Sequence, residues 1–188
     1  MWPWEHLAFG YLLYSLSIRL WRRRPPAGLG VLTLVFATQF PDLVDKPLAW
    51  VFHVLPSGLS LAHSLLFAVP LSVFVLLVAW WRNVPSAGAA FAIGYFSHLL
   101  GDAVYPYLLG RELFPWFLIW PLYSREATVD SALLQVIELS AAFLDFLGTP
   151  RGKLYLVFEL VLLTSMLLLW LFDGHPGVPL PRRRSAAR

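Results

Sequence analysis

The chain has 188 residues, 59% of them hydrophobic and 13% charged, with a mean hydropathy of +0.67. Soluble domains carry about a quarter charged residues, so this composition excludes a fully water-facing surface and assigns much of it to lipid. The absence of cysteine excludes disulfides, thiolate metal sites and a cysteine nucleophile. The formal net charge is +3, and position matters more than the total. Arg22-Arg23-Arg24 follows the first apolar segment and Arg182-Arg183-Arg184 the last. Such clusters hold loops on the cytoplasmic side; no separate basic domain points to nucleic acid. Residues 1–6 lack the basic start and small-residue cleavage site of a signal peptide.

A membrane-spanning helix needs about 20 apolar residues. The first predicted span covers residues 4–21, with Arg19 near its end, able to snorkel. Pro25-Pro26 breaks the helix in the following loop. The second apolar run, residues 29–40, is short and stops at Gln39-Phe40-Pro41-Asp42-Leu43-Val44-Asp45-Lys46-Pro47. A further apolar stretch, residues 48–55, contains His53. Together they read as a broken helix, or as a span followed by a re-entrant or interfacial piece.

The third predicted span covers residues 61–81 and ends at Arg82-Asn83. The fourth covers residues 87–105, starts among small residues that allow close packing, and stops at Pro106. A loop with Arg111, Glu112, Trp116, Trp120 and Pro121 follows, its tryptophans suited to the membrane interface. Residues 131–147 form a helix with Gln135, Glu138 and Asp145 roughly on one face. It either lies flat at the interface or faces a polar interior. The last span, residues 154–172, is the most lipid-like, with Glu159 its one charged residue. The fold class is all-α: a polytopic transmembrane helical bundle of four to five spans plus a short broken or interfacial helix. Residues 1–173 form one transmembrane domain, and residues 174–188 a basic, disordered tail.

With the Arg22–24 loop cytoplasmic, the first helix runs inward and alternation follows along the chain. His6, Asp42, Asp45, His63, His98 and Asp102 then all fall toward the same face, and reversing the protein moves them together. His98 and Asp102 stand four apart on a helix, hence on one face, and can bind one divalent ion together. Asp42 and Asp45, three apart, can share a face as well. Imidazole nitrogen with carboxylate oxygen suits zinc first, with manganese or iron as alternatives, better than calcium. Structural readings stand beside this one: a His98–Asp102 hydrogen bond without metal, and Asp42 and Asp45 as helix caps. His53 and His175 are read as structural. Ionisable residues within spans are expensive and functional by default, and here several converge from four segments. Ser64, beside His63, is a candidate nucleophile or oxyanion donor, though no nucleophile elbow surrounds it.

These residues resemble a known family: the membrane-bound metal-dependent hydrolases related to the YdjM inner-membrane protein. The resemblance covers residues 4–122. It rests on Glu5-His6, on Pro41-Asp42-Leu43-Val44-Asp45, on Ala62-His63-Ser64, on Gly94-Tyr95-Phe96-Ser97-His98-Leu99-Leu100-Gly101-Asp102, and on Trp120-Pro121. The acidic motif has two residues between its aspartates where the family has one, and the His-Arg that often precedes the family's Thr-His-Ser is absent.

The resemblance implies a multi-pass protein of a prokaryotic cytoplasmic membrane, with a divalent metal held by His98, Asp102, His63, His6 and Asp42. The expected function is metal-dependent hydrolysis at the membrane interface of a lipid or phosphoester. Asp42, Asp45 and Ser64 are the catalytic candidates, and the bilayer and a lipid or phosphoester the expected partners. Two other functions fit the same cluster: a structural or partner-binding membrane protein, and a small ion or proton transporter.

Overall fold

A computed structural model describes residues 1–111, 113, 115–125 and 131–178. Among the described residues the chain is all-α, with seven α-helices, one short 3-10 helix and no strand. The α-helices are α1 (Pro3–Arg22), α2 (Gly28–Ala37), α3 (Phe40–Trp50), α4 (Leu65–Trp81), α5 (Pro85–Leu108), α6 (Ala132–Leu147) and α7 (Pro150–Phe172). The 3-10 helix is Trp116–Ile119. Helix α5 is central and packs against α1, α2 and α4.

Proline at the first turn opens α1, α3, α5 and α7, where a missing N–H costs nothing. Ser64 caps α4 by accepting from the Leu66 amide, and Thr149 caps α7 by accepting from Gly152. Two buried clusters form the core. One joins Tyr11, Tyr14 and Ile18 of α1 to Val31 and Leu34 of α2 and Ala90 of α5. The other joins Ala37 of α2 and Ala68 of α4 to Phe91, Tyr95 and Leu99 of α5. Small residues set the helix spacing: a Cβ on Gly10 would stand 2.5 Å from Thr38 Cγ2 and 2.9 Å from Ser97 Oγ.

Helix α1 runs parallel to α7. The Tyr155 hydroxyl donates to Glu5 near the start of both, and Arg19 pairs with Asp173 at their ends. Arg151, at the start of α7, donates from Nη2 to the Tyr107 carbonyl at 2.9 Å, tying it to the end of α5.

Several boundaries differ from the sequence expectations. The break after α2 is two residues long, and α3 is helical straight through the acidic motif and Pro47, so the unwound segment is 51–64 instead. Helix α4 starts at Leu65 and not at residue 61, because Ser64 caps it; His63 therefore sits on the preceding loop. Helix α5 continues past Pro106 to Leu108, since a proline near a helix end forfeits only one backbone bond.

Helix α7 is the one described helix both long and apolar enough to cross a membrane; α4 is apolar but has 17 residues. Helices α1 and α5 are long enough, with 20 and 24 residues, but bury polar groups inward: Glu5, His6 and Ser15, and Ser97 and His98. Helix α6 buries none of its residues.

Asp173 itself is tied into the bundle. That carboxylate is buried: Oδ2 accepts from Tyr11 and Ser15 hydroxyls at 2.6 Å each, and Oδ1 accepts from Arg19 Nε at 2.8 Å. His175 packs edge-on against Trp170. Residues 179–188, with the last arginine cluster, and Glu112 lie outside the described residues.

Candidate metal centre

The site forms where three pieces of chain meet α5 at one end of the bundle: the start of α3, the loop before α4, and the start of α1. The break after α2 leaves the Thr38 carbonyl free to accept a hydrogen bond from His98 Nδ1 at 2.7 Å. A carbonyl only accepts, so His98 Nδ1 carries the hydrogen and Nε2 faces inward.

His63 is oriented in the same manner. Its Nδ1 lies 2.8 Å from Asp45 Oδ2. Asp45 itself is held by backbone amides: Oδ2 accepts from Ser60 at 2.8 Å and His63 at 3.2 Å, and Oδ1 from Ala62 at 2.9 Å. The loop is pinned further by the Tyr95 hydroxyl, donating to the Ala62 carbonyl at 2.6 Å, and by the Phe117 ring, edge-on to His63. An Asp–His pair of this kind presents the outer imidazole nitrogen as a ligand.

The two Nε2 atoms face each other at 3.1 Å. Asp102 Oδ2 stands 3.4 Å from His63 Nε2 and 3.2 Å from His98 Nε2. Asp42 Oδ1 stands 3.6 Å and 3.8 Å from the same two nitrogens. A tetrahedral ion with bonds of 2.0–2.1 Å separates its ligand atoms by about 3.3 Å. These five edges bracket that value, and all four atoms lie within 4.8 Å of one another.

Burial lowers the pKa of the His63 imidazole, but hydrogen bonds with Asp102, Asp42 and Asp45 outweigh it and lift it to about 10. Three carboxylates, Asp42, Asp45 and Asp102, surround the His63 ring, so a positive charge between the two rings, a proton or a metal ion, is favoured there. A proton there satisfies two atoms of the four. Asp42 Oδ1, buried, is left without a hydrogen-bond partner, while Oδ2 of the same carboxylate accepts from Lys46 at 2.5 Å. His63, His98, Asp102 and Asp42 thus form a cluster able to hold one divalent cation.

A family model described as the YdjM inner membrane protein matches residues 1–175. The chain belongs to the YdjM inner membrane protein family. No curated protein and no solved structure matches it.

In this YdjM family member the candidates from the sequence divide into three groups. His63, His98, Asp102 and Asp42 come together. His6 stands behind Asp102, with Nε2 3.2 Å from Oδ1 and its ring stacked 3.7 Å from His98, and neither ring nitrogen makes a hydrogen bond. The Met1 amino nitrogen meets the same oxygen. Asp45 and Ser64 do not fit the reactive roles drawn for them. Both carboxylate oxygens of Asp45 are committed to the loop and to His63. Ser64 Oγ caps α4 and donates to the Trp120 carbonyl at 2.5 Å, so it is a structural hydroxyl.

Sequence reasoning missed the Thr38 carbonyl, which has no side-chain signal, and Lys46, whose i,i+4 spacing from Asp42 was the available clue. The positive φ of His53 (51°) and of His175 (61°) marks both as loop residues, and neither joins the cluster.

Proposed function

We propose that this chain is a multi-pass inner membrane protein whose centre binds one zinc ion and hydrolyses a lipid-borne ester or phosphoester. The observation that carries the reading is the convergence of ligand atoms from His63, His98, Asp102 and Asp42 within 4.8 Å, with both Nδ1 atoms engaged outside it. Zinc suits two imidazoles with two carboxylates; manganese and iron remain open to the same donors. A bound dication supplies Lewis acidity to a reacting carbonyl or phosphoryl oxygen. The protein's own residues supply the rest. Thr38 and Asp45 fix the imidazoles, and His6 supports Asp102. Asp42 Oδ1 stands at the two longest edges of the set, 3.6 Å and 3.8 Å from the imidazole nitrogens.

The membrane reading rests on an outward-facing apolar surface wrapped around a polar interior. Leu16, Leu20, Phe74, Leu77, Leu160 and Leu168 are exposed, whereas Glu5, His6, Asp45, His63 and His98 are fully buried. The parallel pairing of α1 and α7 supports five crossings: α1, α2 with α3, α4, α5 and α7. Helix α6 leaves and rejoins at the cluster end, where Phe143 meets Trp2 and Tyr155, so it lies at the interface. Residues 1–173 then make one membrane domain.

One observation favours a structural site instead. Four protein ligands close a tetrahedron, whereas catalytic zinc keeps an open position. Elemental analysis of detergent-purified protein and of a His98→Ala, Asp102→Ala variant tests the centre. We expect about one zinc, manganese or iron per chain, absent from the variant. Metal-free parent protein purified without chelator would refute it. An Asp42→Asn variant that keeps its metal but loses ester or phosphoester hydrolysis separates catalysis from structure.

A further inference from the structure

Beside the cluster, α3 lines a cleft of about 320 Å³. That volume suits a lipid headgroup; small-molecule sites span roughly 300–1,000 Å³. Its charged lining residues are Asp42 and Lys46, and the remaining wall includes Leu43, Pro47, Trp50 and Val51. Asp42 belongs to both places: Oδ1 faces the cluster and Oδ2 meets Lys46. The Lys46 ammonium lies 5.7 Å from the Trp50 ring centroid, a cation–π placement that holds it over the cleft. Gly58 permits this, since a Cβ there would stand 3.1 Å from Trp50 Nε1 and 3.3 Å from Lys46 Cγ.

Charge and polarity select the occupant. A dication in the cluster would cancel the carboxylates of Asp42 and Asp102, leaving Lys46 as the unneutralised cation of the cleft. Leu43 and Val51 are well exposed and apolar, suited to hydrocarbon rather than water. Trp2, Trp4 and Trp50 lie at this end of the bundle, as interfacial tryptophans do. We propose that the α3 cleft binds a phospholipid with an exposed anionic phosphate. Lys46 pairs with the phosphate, Leu43 and Val51 receive the start of the acyl chains, and the phosphoester lies against the Asp42 edge of the cluster. The inference rests on the reading of that cluster as the reacting centre.

The test is binding of acyl-labelled phosphatidic acid to the full chain in detergent, with metal content measured on the same samples. Lys46→Gln should weaken binding about tenfold, the scale of one charge-assisted hydrogen bond, and leave the metal in place. Leu43→Trp, which fills the cleft without touching the cluster, should also weaken it. Diacylglycerol and glycerol phosphate, each carrying half of the ligand, should compete poorly. Parent-like binding by both variants, with metal retained, would overturn the lipid site while leaving the metal centre intact. Strong competition by glycerol phosphate would replace it with a site for free phosphoesters. Metal-free parent protein that still binds phosphatidic acid through Lys46 would support the cleft and remove the metal reading.

Discussion

Asp45 illustrates how a side chain can serve a site without entering it. Its carboxylate gathers three backbone amides from the loop before α4 and the Nδ1 of His63. Asparagine has the same shape, but its amide half cannot accept from a backbone N–H. Asp45→Asn should therefore loosen the loop and the ring together, lowering metal affinity about 10- to 100-fold. A chelator competition titration measures this; unchanged affinity would mean the loop holds His63 by itself. Sequence spacing placed Asp45 on the same face as Asp42 and made both catalytic candidates. The fold separates them, because the loop of residues 57–63 closes over Asp45 and leaves Asp42 facing the cluster.

Among the elements, α1 and α7 carry an interaction that only their parallel pairing creates. Asp173 accepts from Tyr11, Ser15 and Arg19 at the end away from the cluster, and Arg19 also lies 4.5 Å over the Phe172 ring. Removing one partner of a buried ion pair costs about 3–5 kcal/mol because the other charge is stranded. Asp173→Ala should lower the unfolding free energy in detergent by about that much, and with it the thermal midpoint, while leaving the metal content unchanged. Joint loss of metal and stability would instead place the clamp and the cluster in one cooperative unit. The pairing was illegible in the sequence: Asp173 follows the last apolar residue and precedes Gly174, a pattern that reads as an exit from the membrane. Its partners stand more than 150 positions away.

Among the described residues, large apolar side chains are widely exposed while ionisable groups are buried beside an apolar core, and the tryptophans fall at the two ends. Trp2, Trp4, Trp50, Trp116 and Trp120 belong to the cluster end; Trp21, Trp80, Trp81 and Trp170 to the other, with Arg22, Arg23 and Arg82. With five crossings, single cysteines introduced into this cysteine-free chain at Arg23 and Asn83 should react with an impermeant thiol reagent from the cytoplasmic side. Cysteines at Phe52, Leu122 and Leu133 should react from the opposite side. Labelling of the Leu133 position from the cytoplasmic side would make α6 a crossing helix and exclude this topology.

Composition and spacing by themselves pointed to a helical membrane protein and determined that His63, His98, Asp102 and Asp42 share one end. Those conclusions depend on residue type and on alternation of direction, both local properties of the sequence. Which atoms point inward was decided by tertiary contacts: the Thr38 carbonyl against His98, the loop amides around Asp45, and the Ser64 hydroxyl on Trp120. Hydrogen-bond partners far apart in the chain set each tautomer and each carboxylate's commitments, and no period in the sequence encodes them.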